Sequence, residues 1–210
     1  MNILCIGAHF DDVEIGCGGT VAKWSQQGHK VTIMVFTESG YSDENGKSIR
    51  ESNNAIEEGK AAARILGASL YENHKRFPVF GLANTDDLRR DILRAIKELE
   101  VDTMLCHWTG DVHSDHLELG KAAIMSARHL PRLLMYRSNY YDSGKTFNPG
   151  LYVDISDTFN LKIEAIKEYR TEFSRSGTIW VEYLEGLNRM DGMKVGVKYA
   201  ESFEAVRFLL

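Results

Sequence analysis

The sequence predicts an α/β fold, a Rossmann-like three-layer sandwich around a mostly parallel sheet, and two observations carry that prediction. Short apolar runs alternate with segments of helical spacing along most of the chain, which is the βαβ rhythm of a parallel sheet. Two clusters of imidazoles and carboxylates each directly follow an apolar run. That order puts both at the carboxyl ends of strands, where open α/β sheets bind ligands and where an active site is expected. With 210 residues, 43% of them hydrophobic, the chain is long enough for one substantial core, so residues 1–210 read as a single domain.

Taken in order, Asn2 to Ala8 is a short aliphatic run that reads as a buried strand, and the turn behind it holds His9, Asp11, Asp12 and Glu14. Gly19 to Gln27 has helical spacing, with Gly28 where a C-terminal cap belongs. Lys30 to Thr37 is the second strand, Ile49 to Leu66 a helix stopped by Gly67, and Ala68 to Tyr71 a third strand. Asp86 to Glu100 reads as a helix, Val101 to His107 as a strand, and His116 to His129 as the next helix. Between these last two lies the second cluster, Asp111-Val112-His113-Ser114-Asp115-His116. Arg132 to Arg137 and Leu151 to Ile155 read as strands and Asp157 to Ser174 as a helix. A Gly-punctuated region, Gly177 to Gly196, and a closing segment, Tyr199 to Leu210, complete the chain without a linker or repeat.

Composition narrows the function. A net charge of −5 argues against nucleic acid or an anionic membrane surface as a general partner, because either needs a basic face. A small polar molecule is the expected partner. No apolar run approaches the ~18 residues of a membrane span, and the first residues form a strand rather than a leader peptide. Cys5, Cys17 and Cys106 form no CxxC pair, and two of them lie inside apolar strands, which fits free thiols in a reducing cytoplasm.

The two clusters have the composition of a hydrolytic metal site. A catalytic zinc ion takes about three protein ligands and leaves a position open for water, and His9, Asp12 and His116 supply that set. A neighbouring carboxylate accepts the proton of the attacking water, and Asp11 is placed for it. His113 suits stabilisation of an oxyanion and protonation of a leaving amine. Asp115 is expected to hold that imidazole and favour its charged form. A His2Asp set also suits Fe2+, Co2+ or Mn2+.

Plainer explanations exist for each piece. An Asp-Asp pair at a helix start is most often a cap and dipole partner, and Asp115 also stands where a cap belongs. Gly16, Gly18 and Gly19 fail both phosphate-loop spacings, so they read as glycines for a tight turn and close helix packing. His107 reads at most as a secondary contact, and the charges from Glu164 to Arg175 as a solvated helix face.

At AHFDD with its Gly-rich turn and at HSDH, the sequence resembles the PIG-L/LmbE-like zinc-dependent N-deacetylases, whose motifs are AHPDD and H-x-D-H. Weaker similarity extends over Phe147-Asn148-Pro149, Val153 to Ser156 and Tyr199 to Phe203. The resemblance implies the same ligands, His9, Asp12 and His116. It also implies Asp11 as general base, His113 as the oxyanion residue and Asp115 as its orienting partner. The choice of Asp11 over Asp12 as base rests on the resemblance. The implied reaction is removal of an N-acetyl group from an N-acetylglucosamine-type sugar or conjugate by attack of a metal-bound water, in a family whose bacterial members often form trimers or hexamers. Alternatives are hydrolysis of another amide, such as an N-formyl group or a thiol-sugar conjugate, and a non-catalytic Rossmann-like module that binds a sugar nucleotide.

Two positions depart from the motifs. Phe10 replaces the proline of AHPDD and loses its fixed φ. Ala55 stands at a frequent place for a substrate-contacting arginine, leaving Arg50 as the candidate, with Arg76 and the loop from Phe77 to Leu82 as substitutes. Tyr140, with Tyr141, is a candidate for a lid or mouth position facing the sugar, whereas Trp180 reads as core or subunit contact.

Overall fold

The structure is a computed structural model and describes residues 1–209. Its first βαβ unit is β1 (Asn2–Gly7), α1 (Asp12–Gln26) and β2 (Lys30–Val35). A small hairpin of β3 (Tyr41–Ser42) and β4 (Ser48–Arg50) precedes α2 (Ser52–Ile65) and β5 (Ser69–Leu70). Then come α3 (Asp86–Glu98), β6 (Thr103–His107), α4 (Ser114–Ser126) and β7 (Arg132–Tyr136). The last third holds β8 (Leu151–Asp154), α5 (Phe159–Lys167), α6 (Arg170–Ser176), α7 (Ile179–Val195) and β9 (Ala200–Phe208).

Seven strands form one sheet in the order β5-β2-β1-β6-β7-β9-β8. The first five run parallel, and β9 lies antiparallel to both neighbours. Alternate residues of β1 go to opposite faces. Leu4 and Ile6 join Met34 and Met104 under Leu88 and Ile92 of α3 and Leu119 of α4. Ile3 and Cys5 join Val31 and Ile33 under Val21 of α1, Ala62 of α2 and Ala165 of α5. Helices therefore cover both faces of a sheet whose central strands are apolar on both sides, the three-layer arrangement expected of such runs. The chain order reverses between β1 and β6, which opens a crevice at their carboxyl ends.

Several boundaries differ from the sequence reading. Helix α1 starts at Asp12, not near Gly19, and breaks at Cys17, whose φ is −149°. Past the break, the amides of Gly19 and Thr20 donate to the Glu201 carboxylate at 3.0 and 2.7 Å, so the second part of α1 has its own anionic cap from a distant strand. Lys162 of α5 neutralises that carboxylate at 2.6 Å, with both side chains buried. Residues 49 and 50 belong to the hairpin instead of a helix. Asp157 to Ser174 is two helices with a break before Arg170, and the Gly-punctuated region is one helix, α7, closed by Gly196 in the left-handed conformation. Helix interiors tolerate Gly192 here because Val197 and Lys198 carbonyls pack where its Cβ would stand.

The glycines behind the first cluster are packing positions. A Cβ on Gly16 would overlap the Tyr136 ring, and one on Gly19 would overlap Ile155. Neither faces a space where phosphate could sit.

Candidate active site

The turn after β1 presents three groups by backbone geometry. His9 donates its amide to Asp12 Oδ2 at 2.7 Å, which folds the turn back on itself. Asp11 occupies the N-cap of α1 at φ 122° yet makes no capping bond, so its carboxylate is left for other partners. Without the fixed φ of proline, Phe10 is held by three contacts. Its amide, which proline lacks, donates to Ser39 Oγ at 2.9 Å, and its carbonyl accepts from Arg50 Nη1 at 3.2 Å. Its buried ring fills the space that Gly59 leaves open.

The second cluster starts α4. His113 is the N-cap, its Nδ1 accepting from the Asp115 amide at 3.2 Å. A neutral His113 therefore carries its proton on Nε2. The Asp115 carboxylate does not orient His113, contrary to expectation. It accepts from His9 Nε2 at 3.1 Å and from the amides of Phe80 and Leu82 at 2.7 and 3.1 Å. Nor is His113 favoured as an imidazolium: burial, then the neighbouring His116 and His9, push it down to about 4.

The two clusters meet. His9 Nδ1 lies 3.2 Å from His116 Nε2 and 3.4 Å from Asp12 Oδ2, and His116 Nε2 lies 3.2 Å from Asp12 Oδ1. Tetrahedral ligands at zinc distances of about 2.0–2.1 Å stand roughly 3.3 Å apart, so the two imidazole nitrogens, with the Asp12 carboxylate presenting one oxygen to each, form a triangle of residues of the size a small divalent ion needs. Two other triads share His116: His9 with His113, and Asp12 with His107. His107 is the less accessible donor, because its Nε2 already stands 3.0 Å from the Ala8 amide and 3.1 Å from Asp12 Oδ2 and the ring is fully buried. His9, Asp12, His113 and His116 all border the cavity described below.

Each imidazole of the triangle has a carboxylate behind it. Asp115 stands behind His9, and Asp111 Oδ2 lies 3.1 Å from His116 Nδ1, close enough for an ion pair though not aligned as a hydrogen bond. Asn139 Nδ2 holds the other Asp111 oxygen at 2.5 Å, and Ser138 Oγ donates to Asp12 Oδ1 at 2.9 Å. Such outer partners fix ring orientation and basicity in metal sites. Burial disfavours the charged form of His9, but the Asp115 and Asp12 carboxylates carry it up to about 9. His116 is opposed by burial too, yet Asp12 and Asp111 raise it to about 10. Burial works against ionised Asp12 as well, and His116 and His107 overcome it, holding that carboxyl well below its ordinary range. Asp111, Asn139 and Ser138 were not singled out in the sequence. Asp111 alone left a signal there, five residues ahead of His116 inside the second cluster.

Arg50 is 3% exposed and its guanidinium is taken up by protein groups. It meets Asp11 at 3.6 Å, Glu58 at 3.3 Å and Glu172 at 4.0 Å, and stands over the Tyr169 ring. Glu172 thereby departs from the solvated face assigned to its segment: it is 4% exposed and accepts from Tyr41 Oη at 2.7 Å. Burial raises the Asp11 carboxyl well above its ordinary range, opposed by Arg50. A more basic carboxylate accepts a proton more readily.

These groups border a cavity of about 360 Å3, within the range of small-molecule sites. Tyr140 lines it at 46% exposure, beside Tyr141 and Tyr183, and so does Arg50. Trp180 lines the same cavity, where the sequence suggested core or subunit contact. Phe80, from the loop after β5, borders it opposite no sequence signal beyond its place in that loop.

The family profile described as PIG-L: GlcNAc-PI de-N-acetylase matches residues 4–127. An Escherichia coli (strain K12) protein, the uncharacterized deacetylase YaiS, is 29% identical over 179 residues, covering 81% of this chain and 91% of that protein. The diacetylchitobiose deacetylase of Thermococcus kodakarensis is 26% identical over 230 residues, covering 98% of this chain and 83% of that protein. Among solved structures, the N,N'-diacetylchitobiose deacetylase from Pyrococcus horikoshii, complexed with its inhibitor MPG, aligns with a TM-score of 0.82 at 26% identity. That alignment covers 97% of this chain and 83% of that one.

Proposed function

The chain belongs to the PIG-L (GlcNAc-PI de-N-acetylase) family, and from that premise we propose that it is a divalent-metal-dependent hydrolase removing the N-acetyl group from an N-acetylglucosamine-type sugar or conjugate. The observation that carries this reading is the meeting of His9, Asp12 and His116, with the His9 and His116 nitrogens 3.2 Å apart and each within 3.4 Å of one oxygen of the Asp12 carboxylate, and Asp11 beside them at the wall of one cavity. These three residues hold the metal, with zinc the first choice for a His2Asp set. When bound, the ion supplies Lewis-acid chemistry, polarising the acyl carbonyl and acidifying water.

The chain's own residues do the rest. Asp11, held by Arg50, takes the proton of the attacking water. His113, with Nδ1 fixed by the Asp115 amide, donates its Nε2 hydrogen to the oxyanion that forms as the carbonyl carbon becomes tetrahedral. A neutral imidazole suffices for that bond. The proton collected by Asp11 is the one available for the departing nitrogen, and the carbon–nitrogen bond breaks to give acetate and the free amine. Asp115 and Asp111 act through His9 and His116 as positioning residues. Aromatic walls and an acidic protein surface suit a neutral small sugar better than a polyanion. Three buried, unpaired cysteines fit a reducing cytoplasm. Among the described residues no helix is long and apolar enough to cross a membrane.

The test is acetate release from a panel of N-acetylglucosamine derivatives, with metal content measured on the same samples. Asp11→Asn should keep its metal and lose at least a hundredfold in kcat, the scale of a lost general base. Full turnover in that variant sinks the assignment.

A further inference from the structure

The stretch from Ser138 to Ser143 follows β7 and carries Tyr140 and Tyr141 to the cavity wall, where Tyr140 meets the Tyr183 ring at 5.2 Å. Both tyrosines are exposed, and they lie in neither a strand nor a helix. Among the described residues, three hydrogen bonds tie this stretch to the rest of the chain, each made by a side chain. Ser138 Oγ donates to Asp12 Oδ1 at 2.9 Å, Asn139 Nδ2 to Asp111 Oδ1 at 2.5 Å, and Ser143 Oγ to the Gly110 carbonyl. All three reach the two catalytic clusters or the residue beside them.

Asn139 differs from the two serines because both ends of its amide are used. Its Nδ2 donates to Asp111, whose other oxygen stands 3.1 Å from His116 Nδ1, and its Oδ1 accepts the Tyr141 amide at 3.0 Å. One orientation of the side chain serves both, since a carboxylate needs a donor and a backbone N–H needs an acceptor. Aspartate at this position would still accept the Tyr141 amide but would turn a second carboxylate towards Asp111. Asp111 is thus a junction. One arm runs to a proposed metal ligand and the other, through Asn139, to the aromatic wall.

Resting on the metal site of the reading above, we propose that Asn139 is a positioning residue that makes the Tyr140–Tyr141 wall depend on the metal: an ion that holds His116 fixes Asp111, and Asp111 through Asn139 fixes the backbone at Tyr141. Ordering exposed side chains is one of the costs of binding, and a wall already ordered by the metal leaves less of that cost to be met when the sugar arrives. The cavity then binds sugar well only when the metal site is filled.

Hydrogen exchange across residues 139–143 of the chelator-treated protein, with and without saturating zinc, tests the bridge. KM and kcat for acetate release from methyl N-acetylglucosaminide are measured at matched zinc content. In the wild type, zinc should slow exchange at Tyr140 to Ser143 about tenfold. Asn139→Asp keeps the acceptor for the Tyr141 amide and removes the donor to Asp111. It should lose the zinc response, with KM raised roughly fivefold and kcat changed less than about twofold. Asn139→Ala should do the same without an added charge, whereas Ser138→Ala, which keeps the bridge, should retain the response. An asparagine with a merely structural role would change exchange equally with and without zinc. Zinc that binds the wild type without slowing exchange there, an Asn139→Asp that keeps the response or an unchanged KM, or a Ser138→Ala that loses the response each overturns the bridge. If zinc does not bind at all, the metal reading fails and the bridge with it. If zinc binds and slows exchange as expected but no N-acetylglucosamine derivative releases acetate, the bridge stands and the deacetylase reading fails.

Discussion

Asp11 stands at the start of a helix, in a backbone conformation with φ 122° that aspartate seldom adopts, and it caps nothing. Holding a residue there costs of order 1–3 kcal/mol, and such strain persists only where the surroundings over-determine it. Here the surroundings are the buried Phe10 ring, its amide bond to Ser39 and the Arg50 guanidinium. Arg50 faces three carboxylates, so its loss would leave Asp11, Glu58 and Glu172 without their shared cation. We expect Arg50→Met to lose roughly 3–5 kcal/mol of stability in denaturant unfolding. The milder Arg50→Lys should lower kcat about tenfold with KM changed less than about twofold. A rise in KM at constant kcat would instead mark Arg50 as a substrate contact. The chemistry-bearing residues were legible as two clusters because their types are unusual side by side. Which atom faces which was not: the Asp115 carboxylate aims at His9 rather than His113, and Glu172 is buried in a segment that reads as solvated.

At the scale of elements, the βαβ alternation was readable because each buried strand is a continuous apolar run and each helix has its own spacing. The sequence reading began α1 near Gly19, where only its second part starts, and the Glu201 carboxylate of β9 that caps that part lies 182 residues from Gly19. No local pattern announces that partner. The Lys162–Glu201 pair joins α5, β9 and the broken helix, with both side chains 1% exposed. Breaking a buried pair from one side leaves the other charge uncompensated. Lys162→Met is therefore expected to cost roughly 3–5 kcal/mol and, for a chain of this size, to lower Tm by about 10 °C. Glu201→Gln with Lys162→Met should recover part of that loss, and a double variant no more stable than Lys162→Met would count against the pair as the cause. The antiparallel insertion of β9 between β7 and β8 was equally hidden, since strand direction leaves no mark on an apolar run.

For the whole molecule, the proposed metal ligands His9, Asp12 and His116 come from two chain segments that the sheet brings together at the reversal between β1 and β6. A ligand that binds only the folded arrangement raises stability by mass action, about 2.7 kcal/mol at a hundredfold excess over Kd. Adding zinc to chelator-treated protein is expected to raise Tm by roughly 5–10 °C. His116→Ala should abolish that rise without abolishing folding, and an unchanged zinc response in the variant would move the ion elsewhere.

The sequence by itself determined the fold class and the neighbourhood of the site. Both follow from local patterns: apolar runs of strand length, helical spacing between them, and polar clusters at the runs' carboxyl ends. Only the tertiary structure decided how the groups are aimed. The Asn139 bridge to Asp111, the carboxylate of Asp115 behind His9, and the Arg50 cluster each join segments distant in the chain. Contacts of that kind depend on strand order and on packing across the sheet ends, and neither is written in the spacing of residues along one strand or helix.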